Sequence, residues 1–114
     1  MSAIGNRDVL ANEPALYAEI VRRIVAVADP ERIILFGSRA RGDHRPDRDF
    51  DILVVKETEE PRYTRSRALY GALSDLLVET DIMVYTPEEV REWQGASRAF
   101  ITTAVREGTV LYER

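Results

Sequence analysis

The sequence predicts a small α/β (α+β) domain, one mixed β-sheet flanked by helices. Short apolar runs bounded by Gly, Pro or Asp alternate with longer segments whose apolar residues recur every three or four positions, the pattern of strands interleaved with helices. A composition of 45% hydrophobic and 32% charged residues is that of an ordinary globular chain. A length of 114 residues suits one hydrophobic core, so residues 1–114 are expected to form a single domain.

The first helix runs from Asn12 to Ala28. Its residues Leu16, Ile20, Ile24 and Val27 fall four, four and three apart and share a face, with Asn12 as N-cap. Pro30 closes it by forcing an extended residue before it. Arg32 to Phe36 holds the run Ile33-Ile34-Leu35-Phe36, a buried strand that Gly37 ends. The polar stretch from Ser38 to Arg48, with Gly42 and Pro46, has no apolar period and is a loop, and Phe50 to Val55 is a second strand. From Arg62 to Val78 the stripe Leu69, Ala72, Leu73, Leu76 and Leu77 predicts a helix, weakened at Gly71. Arg62, Arg65 and Arg67 oppose the dipole at its start, and a solvated face accounts for them. Thr80 to Tyr85 is a third strand by its β-branched, apolar content. Thr86-Pro87-Glu88-Glu89 is a capping box with Pro at its tolerated first position, so a helix starts there. Ser97 caps a last helix bearing Phe100, Ile101, Ala104 and Val105, which Gly108 ends before a short strand from Thr109 to Tyr112. Trp93, Phe100 and the leucines of the Arg62–Val78 segment are assigned to the core.

Composition excludes several chemistries. There is no Cys, hence no disulfide or thiolate catalysis, and the single His44 cannot supply a multi-histidine metal centre. The balance of 16 Lys plus Arg against 20 Asp plus Glu, a net charge of -4, argues against direct nucleic-acid binding. No apolar window approaches a membrane span and the N-terminus lacks an apolar signal core, which leads to the expectation of a cytoplasmic protein without a membrane partner.

The chemistry concentrates in Phe36-Gly37-Ser38-Arg39-Ala40-Arg41-Gly42 and in Asp49-Phe50-Asp51. Residues two apart in a strand project to one side, so Asp49 and Asp51 emerge together from the start of an otherwise apolar strand. Like charges at the rim of a core repel and lose hydration, an arrangement best tolerated around a shared hard cation such as Mg²⁺. Asp81 begins the third strand and joins the cluster if that strand neighbours the second, whereas Glu79 projects to the same side as a lesser candidate. Gly37 permits a sharp exit and close backbone approach to a phosphate, and Ser38 offers its hydroxyl and N–H. Arg39, Arg41, Arg45 and Arg48 against Asp43 and Asp47 make the loop locally cationic, which favours a polyanion. A Walker loop is rejected because Asp43 stands where Lys is required. An EF-hand is rejected because Ile52 replaces the turn Gly and Thr58 the bidentate Glu.

Gly37-Ser38, a ten-residue gap, Asp49-Phe50-Asp51 running into Ile52-Leu53-Val54-Val55, and a later Asp81-Ile82-Met83-Val84 resemble the polymerase-beta-like nucleotidyltransferase superfamily. The run Gly-Ser-Arg-Ala-Arg-Gly and the closing Glu107-Gly108-Thr109-Val110-Leu111-Tyr112-Glu113 resemble its minimal nucleotidyltransferase (MNT) subfamily, the antitoxins of HEPN/MNT toxin-antitoxin modules. The resemblance implies the superfamily's fold and a Mg²⁺-dependent transfer of AMP from ATP to an acceptor hydroxyl with release of pyrophosphate. It implies that Asp49 and Asp51 bind two Mg²⁺ ions and that Asp81 completes the site of the one that activates the acceptor. It further implies that Gly37 and Ser38 hold the β and γ phosphates, with Arg39 and Arg41 at the phosphates or the acceptor. One residue departs from the pattern: Arg48 stands where the family usually has Ser. The implied partner is a HEPN-domain toxin, adenylylated on a tyrosine and joined in a hetero-oligomer. Two readings rank below it: transfer to a small molecule such as an aminoglycoside, and a catalytically inert antitoxin that occludes its partner.

Overall fold

A computed structural model describes residues 14–36, 50–76, 78–93 and 108–114. In chain order they form α1 (Pro14–Ala28), β1 (Arg32–Phe36), β2 (Phe50–Val55), a 3₁₀ turn (Arg62–Thr64), α2 (Arg67–Leu73) running into a second 3₁₀ turn (Ser74–Leu76), β3 (Thr80–Tyr85), α3 (Pro87–Trp93) and β4 (Thr109–Glu113). The four strands make one sheet in the order β3-β2-β1-β4. β1 pairs antiparallel with both β2 and β4, while β2 and β3 run parallel. The crossover that a parallel pair requires is supplied by the segment containing α2. This is the mixed sheet with helices that the sequence predicts, and the first three strands begin and end at the predicted residues.

Strand alternation sorts the core into two layers. Ile33, Leu35, Phe50, Ile52, Val54, Ile82 and Val84 face α1 and α2 and pack with Ile20, Ile24, Leu69 and Leu73. Ile34, Leu53 and Val55 face the other way, against Val90 of α3, with Phe36, Met83 and Tyr85 at the margin. β2 is buried on both faces, which explains why its sequence reads as an unbroken apolar run. Each fully buried aliphatic side chain contributes on the order of 1.5–3 kcal/mol by leaving water, so these layers supply the main stabilisation.

Four expectations are corrected. Val27 is 49% exposed, and Ala28 takes the core position at the end of α1. Each i+4 step from Ile20 to Ile24 to Ala28 advances the contact line by about 40°, which turns Val27 out of it. The helix ends at Ala28, but Asp29 is not extended: its φ of 48° is left-handed, and its N–H bonds to the Val25 carbonyl at 3.0 Å. The single helix expected from Arg62 to Val78 is broken into two 3₁₀ turns around a two-turn α-helix. At that break the Arg65 side chain is drawn inward, only 9% exposed, onto the Val84 carbonyl and the Glu89 carboxylate. That same contact replaces the solvated face expected for this arginine. The Asn12 cap, the helix expected from Ser97 with Phe100, Ile101, Ala104 and Val105, and the side chain of Trp93 lie outside the described residues.

Both edges of the sheet are modified. β4 carries an irregularity where its register with β1 shifts between Ile33 and Ile34. On β3 the Ile82 N–H donates to the Tyr70 hydroxyl at 2.9 Å. Such features blunt edges that would otherwise offer a ladder to another chain. No helix among the described residues is long and apolar enough to cross a membrane.

Candidate active site

Two of the three predicted carboxylates fall within the described residues, and the sheet brings them together. In the parallel pairing of β2 with β3, Asp51 stands directly opposite Asp81. Adjacent strands lie about 4.8 Å apart, so two acids on one face in register are close neighbours. Both precede residues of the α3 layer by an even number of positions (Leu53 and Val55 after Asp51, Met83 and Tyr85 after Asp81), which places them on the α3 face. They sit at the strand starts, where that layer gives out: Asp51 is half-buried and Asp81 exposed. Glu79, the lesser candidate, precedes β3, and its carbonyl accepts the Phe50 N–H at 2.9 Å. The register therefore favours Asp81 over Glu79 as the acid beside Asp51.

The phosphate side of the predicted site lies outside the described residues: Gly37, Ser38, Arg39, Arg41 and Asp49, and with them Arg48. Their chain neighbours are described. Phe36, which precedes Gly37, is the β1 partner of Asp51, and Phe50, which follows Asp49, opens β2. The chain leaves β1 and enters β2 at the end of the sheet where Asp51 and Asp81 stand.

The donor set fits a hard divalent cation. Carboxylate oxygens are its preferred ligands, and a shared cation offsets the repulsion between two carboxylates in register on neighbouring strands. Among the described residues no group of three or more His, Asp or Glu gathers to hold a metal. Asp51 and Asp81 are the two predicted ligands that fall within that part of the chain.

At the opposite end of β3 the structure joins the predicted capping box to ion pairs that sequence reasoning did not foresee. The capping box forms as predicted: the Thr86 N–H donates to Glu89 at 2.9 Å, and the Glu89 N–H donates to the Thr86 hydroxyl at 3.1 Å. Glu89 also receives Arg65 at 2.7 Å and Arg62 at 3.3 Å. Arg65 beside it and the Thr86 N–H hold its carboxyl down at about 2, against the opposing effect of partial burial. Arg62 in turn lies over the Tyr85 ring, 4.8 Å from its centre. These contacts brace the far end of β3, away from Asp81. A hollow of about 510 Å³ that includes Val27, Lys56, Arg65, Arg67 and Leu69 in its lining also lies at that far end, and its described lining includes neither Asp51 nor Asp81.

Comparison with known proteins agrees with this architecture. The sequence model of the family described as Polymerase beta, Nucleotidyltransferase matches residues 19–114. The chain is 31% identical over 86 residues to a Methanocaldococcus jannaschii protein provisionally named a protein adenylyltransferase, covering 72% of this chain and 78% of that one. In fold it is similar to the crystal structure of a provisionally named nucleotidyltransferase from Sulfolobus solfataricus, with a TM-score of 0.65 and 21% identity over 98% of this chain and 94% of that chain. It is also similar to a crystal structure of a toxin-antitoxin with AMP-PNP, with a TM-score of 0.59 and 22% identity over 86% of this chain and 73% of that one.

Proposed function

The chain belongs to the polymerase beta nucleotidyltransferase family, and from that premise we propose that it transfers AMP from ATP to a tyrosine hydroxyl of a HEPN-domain toxin, which it silences as an antitoxin. The nucleotidyltransferase activity goes with the family. ATP as nucleotide, a tyrosine hydroxyl as acceptor, a HEPN toxin as partner and one catalytic domain over residues 1–114 all belong to this proposal. The observation that carries it is the register of Asp51 against Asp81 at the end of the sheet where β1 ends at Phe36, the residue before Gly37.

In the proposed reaction the acceptor oxygen bonds the α-phosphorus, and the bond from that phosphorus to the α–β bridging oxygen breaks. Pyrophosphate departs with that electron pair, and the hydroxyl proton is given up to solvent. Asp49, Asp51 and Asp81 would hold two Mg²⁺ ions, which when bound supply positive charge to the triphosphate. The half-buried Asp51, fixed between β1 and β3, orients the nucleotide side of the site. Asp81, on the exposed edge strand, is accessible to an acceptor arriving from outside. Gly37 and Ser38 would receive the β and γ phosphates on backbone N–H groups and the serine hydroxyl, with Arg39 and Arg41 adding charge. The name of the Methanocaldococcus jannaschii relative supports protein as the acceptor class, and the toxin-antitoxin with AMP-PNP supports an adenine nucleotide and a toxin as the class of partner.

The test is incubation with labelled ATP, Mg²⁺ and a candidate HEPN-domain protein. Label is expected on a tyrosine of the HEPN protein, and Asp51→Ala is expected to reduce it at least about 100-fold, the scale on which lost electrostatic stabilisation acts. Equal labelling by wild type and Asp51→Ala, or none by either, rejects the proposal.

A further inference from the structure

β3 is held by the sheet on one side only, yet it carries the acid that must stay opposite Asp51. Asp81 is its second residue, in the part of an edge strand that frays most readily. Among the described residues, the open side of β3 is reached at its far end by Arg65, on the Val84 carbonyl, and next to Asp81 by Tyr70: the Ile82 N–H donates to the Tyr70 hydroxyl at 2.9 Å. That amide belongs to the peptide joining Asp81 to Ile82, so fixing it fixes the direction in which the chain leaves the Asp81 Cα. Tyr70 itself has a firm base. Its neighbour Leu69 is 1% exposed and Leu73, one turn on, is 2% exposed, which pins α2 to the core beneath the sheet.

We infer that Tyr70 is a positioning residue that holds Asp81 in register with Asp51 by tethering the outer edge of β3. The inference rests on the reading of Asp81 as a cation ligand. A carboxylate on a strand with an untethered edge samples positions an ångström or more apart, and a small hard cation tolerates little such spread. Removing the phenol oxygen leaves the Ile82 amide to solvent and leaves the ring, and so the packing of α2, in place. Partners of this kind, which touch no metal but orient a ligand, commonly change metal affinity about tenfold or more when lost.

The experiment compares wild type, Tyr70→Phe, Asp81→Asn and a core control, Ile24→Val, as full chains. Mn²⁺ binding is followed by electron paramagnetic resonance and exchange of the residue 80–83 amides by deuterium uptake. Tyr70→Phe is expected to raise the Mn²⁺ midpoint about tenfold and to speed exchange at Ile82, with Ile24→Val leaving both unchanged. An unchanged midpoint in Tyr70→Phe, alongside weakened binding in Asp81→Asn, overturns the inference and leaves the reading of Asp81 standing. Equal binding by Asp81→Asn and wild type overturns the reading of Asp81 and the inference with it. An equal shift in Ile24→Val assigns the effect to general loosening and also overturns the inference.

Discussion

Asp51 and Asp81 show at the residue scale why a site of this kind conflicts with stability. Like charges directly opposite on neighbouring strands destabilise a sheet by a few tenths to about 1 kcal/mol. Asp81→Asn is therefore expected to stabilise the protein by about 0.5 kcal/mol in EDTA, with the order reversed in millimolar Mg²⁺, which stabilises only the protein that binds it. Urea midpoints in the two buffers measure this, and a lower midpoint for Asp81→Asn in EDTA counts against a repulsive pair. The pair was legible in the sequence because both acids directly precede apolar runs and strand periodicity sets their side. Arg65 was not legible: besides the nearby Glu60 carbonyl, its acceptors are the Val84 carbonyl and the Glu89 carboxylate, 19 and 24 residues away, and no sequence pattern distinguishes it from Arg62 or Arg67. Tyr70 was hidden for the same reason, its partner being an amide 12 residues on.

Elements were legible where one local signal dominated. β1, β2 and β3 declare themselves as apolar runs with polar or glycine stops, and the α3 start as a capping box, so their limits could be read directly. The segment from Arg62 to Leu76 could not, because an apolar stripe of helical period reveals neither the break after its first turn nor the long-range ion pair of Arg65 beside it. The cap of α3 should be worth the usual amount: Thr86→Ala is expected to cost about 1 kcal/mol, read as a fall of about 5 °C in the thermal midpoint. The other end of a helix offers the opposite opportunity. Asp29, beyond the last residue of α1, combines a left-handed φ of 48° with a negative charge at the negative pole of the helix dipole. Its ion pair with Arg114, at 3.2 Å, is between groups 80% and 50% exposed and offsets little of that. Asp29→Gly is therefore expected to stabilise the protein by about 0.5–1 kcal/mol, and a lower thermal midpoint would show that the Arg114 contact outweighs both penalties.

At the scale of the whole molecule, guanidinium–carboxylate contacts join pieces that the core layers leave separate. Arg23 links Glu19 of α1 to the Ala72 carbonyl and Asp75 at the end of α2. Arg65 links the turn before α2 to the Val84 carbonyl of β3 and to Glu89 of α3. Hydrogen bonds from Arg22 and Arg23 hold the Glu19 carboxyl at about 2, and Arg65 holds that of Glu89 at about 2, both below the ordinary 4.5. A carboxyl depressed in the folded state contributes stability that is complete above its unfolded value and is lost as pH falls toward its folded value. The window for this protein is therefore from about 4.5 down to about 2. The two sites do not weigh equally within it. Glu19 and Asp75 reach solvent, which screens their contacts with Arg23. Glu89 is 20% exposed and faces an Arg65 that is 9% exposed, so its loss leaves a guanidinium without its carboxylate in a largely buried place. Glu89→Gln keeps an oxygen for the Thr86 N–H but removes the charge, and is expected to cost about 2 kcal/mol at pH 7. Between pH 4.5 and pH 2 the urea midpoint of wild type should fall more steeply than that of Glu89→Gln, and the two curves should draw together as pH falls through about 2, where Glu89 protonates in the folded protein too. Parallel curves over that range would mean that Glu89 protonates in the folded protein as readily as in the unfolded chain, and that the pairing of Arg65 with Glu89 does not link the crossover turn to α3.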